Sequence, residues 1–482
     1  MPVLSLEIST TSAKAAVFDA ANGILSSAIE PLLYDAGGRG RMDAVGAYQT
    51  LLRVGKRAAR GHEIAAVALS FSWHTLLVCD ARFEPVTPVY TWEYDGAKAL
   101  SAAMRADSRL TDLLYQTTGC MPNITYPRQT LLYLIEEGLK LWGRRVMSQG
   151  AFCFQALTGE FAETANIQSG SGLINLITLD YDPFVMELLG IGADQLGALR
   201  RYQDTSPLLP EAARMLGVSP GIPVVPAHSD GACNHLASSA EYSKGMTLSV
   251  GTSGAMRLAV NEPRLSPKNE TWAYYGVDGH LAGAAVAGAC NCIDWFKADF
   301  LQNRSSYADL EGEEHPPALD PPVFLPFLFG ERCPGWRDDR LAGFAQVRPG
   351  HRPRHFYHAI QMGILFNLYQ CFGNLCAVAG DPEAVIVSGG ILHSRLWTGM
   401  LADIFQRPVT LSKDKDASLT GASLLGLYAA GEIRSIHQKL PCMGQGETVI
   451  NHPDLASWYQ NQYRRYQKAY HHTQPAYAEQ PE

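Results

Sequence analysis

The chain has 482 residues, of which 46% are hydrophobic and 18% charged, a composition typical of a globular protein with large buried cores. Its formal net charge of −8, without a long basic run, argues against nucleic acid as a main partner. The length allows about three domains, and the scattered cysteines, without paired CxxC sites, indicate reduced thiols and a cytoplasmic location. We expect that no apolar run reaches membrane-spanning length, and Glu7 stands where a signal peptide needs apolar residues, so no membrane partner is expected.

The first element is a strand–turn–strand unit. The apolar stretch VLSLEI leads into Ser9-Thr10-Thr11-Ser12, and a second apolar stretch, AKAAVF, follows. Turns of small and hydroxyl residues can approach a phosphate closely with their backbone N–H groups. Thr10, Thr11 and Ser12 are therefore candidate phosphate ligands, with ordinary turn chemistry as the alternative.

The next part of the chain alternates between short strands and helices. We predict a helix at 43–61 and a buried strand at 64–72 that ends at Trp73 and His74. Short strands at 76–79 and 86–91 precede a mainly helical region.

A second strand–turn–strand unit lies near the middle of the chain, within 224–257. A β-branched strand ends at Asp230, just before a predicted helix at 232–240, so Asp230 is either a helix cap or a cleft carboxylate. The strand TLSV then breaks into Gly251-Thr252-Ser253-Gly254. Two such units suggest duplicated domains that face one another with phosphates between the turns, and chance recurrence is the alternative at this point.

The second half of the chain follows a linker predicted at 241–245. We predict a hairpin over 271–287, a long amphipathic helix at 354–378 and a buried strand at 384–388 that ends in Gly389-Gly390. Helices at 394–405 and 420–430 follow, and the second, rich in small residues, is expected to pack closely on the first. The polar tail, 471–482, is expected to be loose.

Taken in order, these segments resemble the FGGY carbohydrate kinases over nearly the whole chain. TTSAK and SVGTSGAM are similar to the two phosphate motifs of that family, and AHSDGACNHL is similar to its catalytic segment. VSGGILHSRLWTGMLADIFQRPV resembles the adenosine segment, and LTGASLLGL resembles the closing helix. PFLFGERCPGW followed by LAGF is closest to the gluconate- and xylulose-type branch.

The resemblance implies a role for each matching residue. Asp230 would contact the sugar and accept the proton of the attacking hydroxyl, as a positioned carboxylate can. Trp73, His74 and Tyr126 would line the sugar site. The residues implied to bind ATP are Thr10, Thr11, Ser12, Gly251, Thr252, Ser253, Gly288, Gly389, Gly390 and Ser394, the last of which is equally a candidate helix N-cap.

Several positions depart from the family pattern. Glu7-Ile8-Ser9 replaces the usual Asp-x-Gly, so Glu7 would reach Mg²⁺ through water with its charge moved by one methylene. The usual Trp-x-Asp-x-Arg is Trp92-Glu93-Tyr94-Asp95-Gly96, which leaves Asp95 or Glu93 as candidate sugar contacts. These changes cluster around the metal and the sugar rather than around the adenosine segment.

The implied fold is α/β, with two duplicated ribonuclease-H-like (actin-like ATPase) domains on either side of a cleft. Residues 1–242 would carry the sugar site, the first phosphate hairpin and Asp230, and residues 243–482 the second hairpin and the adenosine site. The implied activity is ATP-dependent phosphorylation of a small sugar or sugar acid, and a homodimer is the family-level expectation. Gluconate is the first acceptor expected, with xylulose, another ketose or a polyol as alternatives. The departures also leave open a family member that binds nucleotide or sugar with weak or no transfer.

Overall fold

The structure, a computed structural model, describes residues 1–32, 38–312, 316–444 and 446–472. The strands of the first half are β1 (Val3–Ile8), β2 (Ser12–Asp19), β3 (Gly23–Pro31), β4 (Arg41–Met42), β5 (Val67–Phe71), β6 (Leu77–Cys79), β7 (Val89–Tyr90), β8 (Arg145–Met147), β9 (Ala162–Thr164), β10 (Ala198–Arg200), β11 (Ser206–Pro207) and β12 (Pro223–Ser229). Its helices are α1 (Ala44–Ala59), α2 (Lys98–Ala106), α3 (Ser108–Thr118), α4 (Pro127–Glu136), α5 (Gln149–Thr158), α6 (Ala165–Ser169), α7 (Pro183–Leu189), α8 (Pro210–Leu216) and α9 (Asp230–Ser238).

The second half begins directly after α9. Its strands are β13 (Gly245–Val250), β14 (Gly254–Val260), β15 (Trp272–Tyr275), β16 (His280–Val286), β17 (Val323–Leu325), β18 (Gly343–Ala345), β19 (Ala384–Ser388), β20 (Val409–Leu411) and β21 (Thr448–Val449). Its helices are α10 (Cys290–Trp295), α11 (Tyr307–Glu311), α12 (Pro316–Leu319), α13 (Pro353–Ala379), α14 (Arg395–Phe405), α15 (Ala417–Ala429) and α16 (Ala456–His472). Short 3₁₀ turns occupy Ala193–Gln195, Gly390–His393 and Pro453–Leu455, and a π-helical turn, Phe296–Phe300, extends α10.

Each half is built on a sheet of the same topology. The first sheet has the order β11-β12-β5-β1-β2-β3, and the second has the order β15-β16-β14-β13-β19-β20-β21. In both, an antiparallel run of three strands joins two further strands in parallel, β1 beside β5 and β12, and β13 beside β19 and β20. The predicted duplication and the fold class are therefore confirmed.

The two hydroxyl-rich segments each connect the first two strands of a sheet. β1 pairs antiparallel with β2, and β13 pairs antiparallel with β14, so each turn lies where the central parallel strand of its sheet ends. Every residue of β1 is buried because its neighbours β2 and β5 flank it on both sides. Ligands gather beyond the carboxyl ends of such strands.

Alternation along β1 divides its side chains between the two faces of the first sheet. Leu4, Leu6 and Ile8 join the apolar cluster that contains α1 and α5. The other face points to α15, where the Ser423 hydroxyl donates to the Ser5 hydroxyl at 3.1 Å. Glu7, two residues after Ser5, shares that face.

Helix α15 comes from the second half of the chain but packs against α9, β1 and β5. The sequence predicts its close packing correctly, but its main partner is α9 and not α14. The approach is so close that a Cβ on Gly421 would lie 2.0 Å from the Cys233 carbonyl oxygen. The predicted boundary at residue 242 falls between α9 and β13, at this junction.

Helix α13 differs from the amphipathic helix that the sequence predicts, because its residues 357–368 are all buried. It is the one described helix long and apolar enough to cross a membrane, so the expectation that no run reaches that length is wrong. Since 56% of its most apolar 18-residue stretch is buried and the helix packs on β16 and β17, it serves as a core helix. Most of the tail predicted to be loose lies outside the described residues, and His471 and His472 end α16.

Candidate active site

The carboxylate of Asp230 stands at the junction between β12 and α9. The hydroxyl of Ser229 accepts the N–H of Ala232 at 3.1 Å and is therefore the N-cap of α9. Asp230, the first residue of the helix, is left half-buried on the wall of a pocket of about 230 Å³. Its Oδ1 accepts the adjacent Gly231 N–H at 2.6 Å, and the backbone of Trp73 also hydrogen-bonds to the carboxylate. Ser229, and not Asp230, therefore caps α9, and Asp230 faces the cleft.

The environment of Asp230 suits a proton acceptor. Burial raises the pKa of this carboxyl to about 6, the negative charge of Glu7 adds to the rise, and Arg257 opposes it. A base works best when its pKa lies near the operating pH and below it, so that it is ionised yet still basic. An ordinary exposed aspartate is ionised but much less basic.

Both hydroxyl turns reach the same pocket. Thr10 lines it from the first turn, and Gly251, Thr252 and Ser253 line it from the second, together with Asp230. These residues are far apart in the sequence, and the two sheets bring them together as the sequence predicts.

Within the first turn, however, the three predicted ligands are placed differently. Thr10 lines the pocket, and its hydroxyl accepts the indole N–H of Trp92 at 3.0 Å. Thr11 is exposed at the tip of the turn, and Ser12 is already a buried residue of β2. The hydroxyls of Ser9 and Ser12 lie 3.1 Å apart and hydrogen-bond with each other inside the turn.

The second turn is held in place by the N-terminus of α10. Cys290 donates its N–H to the Gly251 carbonyl at 2.8 Å, and Asn291 donates to the Thr252 carbonyl at 3.3 Å. Within the turn, Gly251 donates to the Ser253 carbonyl at 3.0 Å. A Cβ on Gly251 would meet no heavy atom within 4 Å, so this face of the turn is open to a ligand.

Trp73 and His74 line the pocket at the end of β5, as predicted. The indole N–H of Trp73 donates to the Asn166 carbonyl at 2.8 Å, so the ring itself is the surface presented to a ligand. The ring packs edge-on against Tyr274, with centroids 5.1 Å apart, and against Trp272 at 6.2 Å. The site therefore has an aromatic wall, which suits the C–H faces of a sugar.

His74 is a neutral hydrogen-bonding group. Its Nδ1 donates to the Gly170 carbonyl, and burial, helped by the charge of Arg332, lowers its pKa to about 3. The ring is therefore uncharged at neutral pH, and Nε2 carries the lone pair that can accept a sugar hydroxyl. The φ of His74 is +62°, an uncommon backbone conformation that is concentrated at functional sites.

Tyr126 lies one layer further from the pocket than the sequence predicts. It is fully buried, its ring meets the His74 ring edge-on at 5.4 Å, and its hydroxyl accepts from Tyr274 at 2.9 Å. It supports two residues of the wall but is not part of the lining. Its predicted contact with the sugar stays a prediction.

Gly389 and Gly390 follow β19 and adjoin the second hydroxyl turn. Gly389 has a φ of +94°, and a Cβ there would lie 2.5 Å from the Val250 carbonyl oxygen, so only glycine fits. Ser394 caps α14 by accepting the Trp397 N–H at 2.9 Å, and its hydroxyl donates to the Glu311 carboxylate. The cap role of Ser394 is thus seen, and its contact with adenosine stays a prediction.

Gly288 is buried in the wall of the second half. A Cβ on it would lie 2.0 Å from the Pro326 carbonyl oxygen, so the close approach of the two backbones requires glycine. It is not part of the pocket lining around Asp230. Its predicted contact with the nucleotide stays a prediction.

The carboxylates of Glu7 and Asp230 lie close enough for the negative charge of Glu7 to raise the pKa of Asp230. Glu7 accepts from the Ser70 hydroxyl at 3.1 Å and lies 3.6 Å from the Lys14 ammonium group, so its charge is already partly balanced. Among the described residues, no group of three or more His, Cys, Asp or Glu side chains forms a metal site. This donor set fits Mg²⁺ that arrives with nucleotide phosphates and keeps its waters, which needs only one or two carboxylates.

Four large side chains of the pocket wall are not among the residues that the sequence predicts. Arg257, Trp272, Tyr274 and Arg332 all line it, and all come from the second half of the chain. Arg257 and Arg332 stand in GTSGAMR and GERCPGW, segments that carry the family resemblance, so their charge was a usable signal. Trp272 and Tyr274 gave no signal beyond the apolar pattern of a strand.

Glu93 and Asp95 line a neighbouring pocket of about 150 Å³ and not the one around Asp230. Trp92 and Arg332 form the wall between the two pockets, since both residues line each of them. Glu93 also lies 3.6 Å from the guanidinium group of Arg39.

Two sheets of one topology, a hydroxyl turn from each and a carboxylate between them define a phosphotransferase of the actin-like ATPase type. The models of the N-terminal and C-terminal domains of the FGGY family of carbohydrate kinases match residues 2–237 and 246–430. The chain belongs to the FGGY family of carbohydrate kinases. It is a carbohydrate kinase that acts on a sugar or sugar acid and uses ATP as a substrate.

Individual relatives are more distant. The chain is 26% identical to a gluconokinase of Bacillus subtilis (strain 168) over 457 residues, which are 90% of this chain and 88% of the relative. It is 24% identical to a xylulose kinase of Escherichia coli (strain K12), over 86% of each chain. The gluconate kinase structure from Lactobacillus acidophilus superposes with a TM-score of 0.90 at 22% identity over 98% of both chains. That last similarity concerns the fold.

Proposed function

We propose that this kinase transfers the γ-phosphoryl group of ATP to a hydroxyl of gluconate or a closely related sugar acid, with Asp230 as the general base. The observation that carries the proposal is the half-buried carboxylate of Asp230, released from helix capping by Ser229 and facing both hydroxyl turns across one pocket. Its pKa of about 6 leaves it ionised at neutral pH and basic enough to accept the proton of the attacking hydroxyl.

In this mechanism each wall of the pocket has one task. Thr10 and the Gly251–Ser253 turn hold the phosphate oxygens, and the aromatic wall with His74 orients the acceptor. Asp230 takes the proton as the acceptor oxygen attacks, and the leaving group is ADP. Glu7 and Asp230 would hold Mg²⁺ through its waters, and the ion would supply positive charge to the phosphate oxygens.

Gluconate is the first acceptor proposed because the B. subtilis relative is a gluconokinase and the GERCPGW and LAGF segments resemble that branch. Xylulose is the second, because xylulose kinases are almost as similar to the chain. We also propose a cytoplasmic location, since the cysteines of the chain are all free thiols, as in a reducing compartment. A homodimer stays a prediction.

The test is ADP release by the purified full chain with ATP–Mg²⁺ against gluconate, other aldonic acids, xylulose and neutral polyols. We expect strong stimulation by an aldonic acid and a loss of kcat of at least about 10²-fold in Asp230→Asn, with ATP binding retained. Asp299→Asn, which changes an exposed carboxylate outside the pocket, is the matched control and is expected to keep full activity.

A family member with weak or no transfer is the second candidate, favoured by the burial of Glu7 against Lys14. Such a protein would bind ATP, but no acceptor would stimulate ADP release. The rate of ADP release would be the same in the wild type and in Asp230→Asn. That result would refute the proposed base.

A further inference from the structure

Four buried polar groups of the pocket around Asp230 have no hydrogen-bond partner among the described residues: Nε of Arg257, Nε of Arg332, Nε1 of Trp272 and Oγ of Ser72. The first three are pure donors, and the fourth can donate. Buried donors are normally satisfied, so a group of them in one cavity needs an explanation. The complementary ligand is rich in acceptors.

The fold satisfies a buried arginine where the arginine is structural. Arg128 is fully buried, and its guanidinium donates to the Gln129 side chain, the Thr118 hydroxyl and the carbonyls of Cys120, Met121 and Gly172. Within the described residues, Arg257 and Arg332 make no side-chain hydrogen bond and no ion pair. Arg257 lies over the Trp73 ring, 5.8 Å from its centroid, but the fold supplies the Nε atoms of Arg257 and Arg332 with no acceptor such as those around Arg128.

Arg332 has acidic neighbours in its own segment, but they are already paired. Glu331 accepts from Arg340 at 2.8 Å, and the Asp338 carboxylate lies 2.8 Å from Arg105. Arg332 is thus the cation of this segment that remains without a counter-charge in the part of the chain described.

The charges of the lining leave the pocket cationic. Arg257 and Arg332 contribute two positive charges, Asp230 contributes one negative charge, and His74 is neutral. Arg257 lies beside the base, because a Cβ on Gly231 would be 2.6 Å from its Nη2 atom. Arg257 therefore shares the charge of Asp230, and the uncompensated charge falls mainly on Arg332.

We propose that Arg332, together with Arg257, binds the carboxylate of the acceptor and makes this pocket select sugar acids over neutral ketoses and polyols. A carboxylate offers only acceptors, matches the guanidinium fork and balances the charge. The carbon chain of the acid would lie along the aromatic wall, and a hydroxyl would face Asp230. This inference rests on the proposed kinase function.

The competing occupant for the same two guanidinium groups is the transferred phosphoryl group. The test compares kcat/KM for gluconate and for glucitol, its neutral six-carbon analogue, in the wild type, Arg332→Gln and Arg332→Lys. We expect the wild type to prefer gluconate at least about tenfold, and Arg332→Gln to lose about 10- to 100-fold with gluconate and less than about threefold with glucitol. Arg332→Lys keeps the charge but loses the two-pronged guanidinium geometry, so its kcat/KM for gluconate is expected to lie between those of the wild type and Arg332→Gln.

Arg337→Gln is the matched control, because it removes one charge from the same segment at an exposed site outside the pocket. This variant should have the wild-type kcat/KM with both acceptors. An equal loss with both acceptors in Arg332→Gln would assign the arginine to the phosphoryl group and overturn the inference, as would an unchanged preference.

Direct binding separates this inference from the kinase proposal. If the wild type phosphorylates neither acceptor, the proposed function fails, and calorimetry without ATP then decides the carboxylate site. Gluconate binding that Arg332→Gln abolishes supports the site, and the absence of gluconate binding to the wild type refutes it. If Arg332→Gln does not fold, a wild-type preference for glucitol or for xylulose over every aldonic acid refutes it.

Discussion

Replacement of Asp230 by asparagine is expected to stabilise the fold at neutral pH while it removes activity. Asparagine keeps the shape of the side chain and the acceptor for the Gly231 N–H, but carries no charge. The pKa of Asp230 is higher in the folded chain than in the unfolded chain, mainly because of burial. The folded state therefore binds the proton more tightly, and ionisation costs stability once the pH rises above the unfolded value.

The size of the effect follows from the same two pKa values, 3.8 for an ordinary aspartate and about 6 here. A difference of about 2 in pKa corresponds to about 3 kcal/mol, and partial exposure of the side chain reduces the expectation to about 2 kcal/mol. This destabilisation of the wild type is nearly complete above a pH of about 6, shrinks as the pH falls through the folded pKa, and disappears below 3.8, where the unfolded chain is protonated as well.

Urea unfolding of the wild type and Asp230→Asn at about pH 7.5 and about pH 4.5 measures this difference. The variant should have the higher free energy of unfolding at the higher pH, and the gap should shrink by more than half at the lower pH. Asp299→Asn should show no such pH dependence, since its carboxylate is exposed. A variant that is less stable at neutral pH, or a gap that is the same at both pH values, would refute the reasoning.

Two further predictions test other parts of the cleft. The acid limb of the pH profile of kcat/KM should lie near pH 6. Glu7→Gln should move this limb to lower pH, because the charge of Glu7 raises the pKa of Asp230. A limb that stays in place in a steady-state pH profile contradicts this prediction. Alanine at Gly389 costs about 1–3 kcal/mol in that backbone conformation, and its Cβ would meet the Val250 carbonyl, so the segment is expected to move from its present position. Gly389→Ala should therefore weaken ATP binding at least about tenfold in a nucleotide titration. Gly399→Ala, in open space on α14, should bind ATP normally, and equal affinities in both variants would argue against the adenosine segment.

The features that the sequence predicts correctly are those encoded within short segments. A strand, a hydroxyl turn and a second strand are contiguous, so both strand–turn–strand units follow from local pattern alone. Asp230 is predicted because it stands where a strand ends and a helix begins. The duplicated topology then follows from the order of these local units along the chain.

The features that the sequence does not predict depend on contacts between distant segments. In the sequence, Thr11 and Ser12 are as good candidates for phosphate ligands as Thr10. In the structure, Thr11 is exposed at the tip of the turn, and Ser12 belongs to β2, which pairs with β1. The aromatic wall joins Trp73 to Trp272 and Tyr274 across two sheets, and no local pattern records that meeting. Helix α13 loses its expected polar face because the second half of the chain surrounds it.

The proton affinity of Asp230 is likewise a property of the assembled cleft. Asp230 begins α9, which α15 joins to the first sheet, and its proton affinity is set from both halves of the chain. Glu7 in β1 raises the pKa, and Arg257 in β14 lowers it. Only when the two halves meet are the carboxylate, its opposing charges and both hydroxyl turns present together. A kinase that must spare ATP from water gains from this arrangement, because residues of both halves must meet before all of these groups line one pocket.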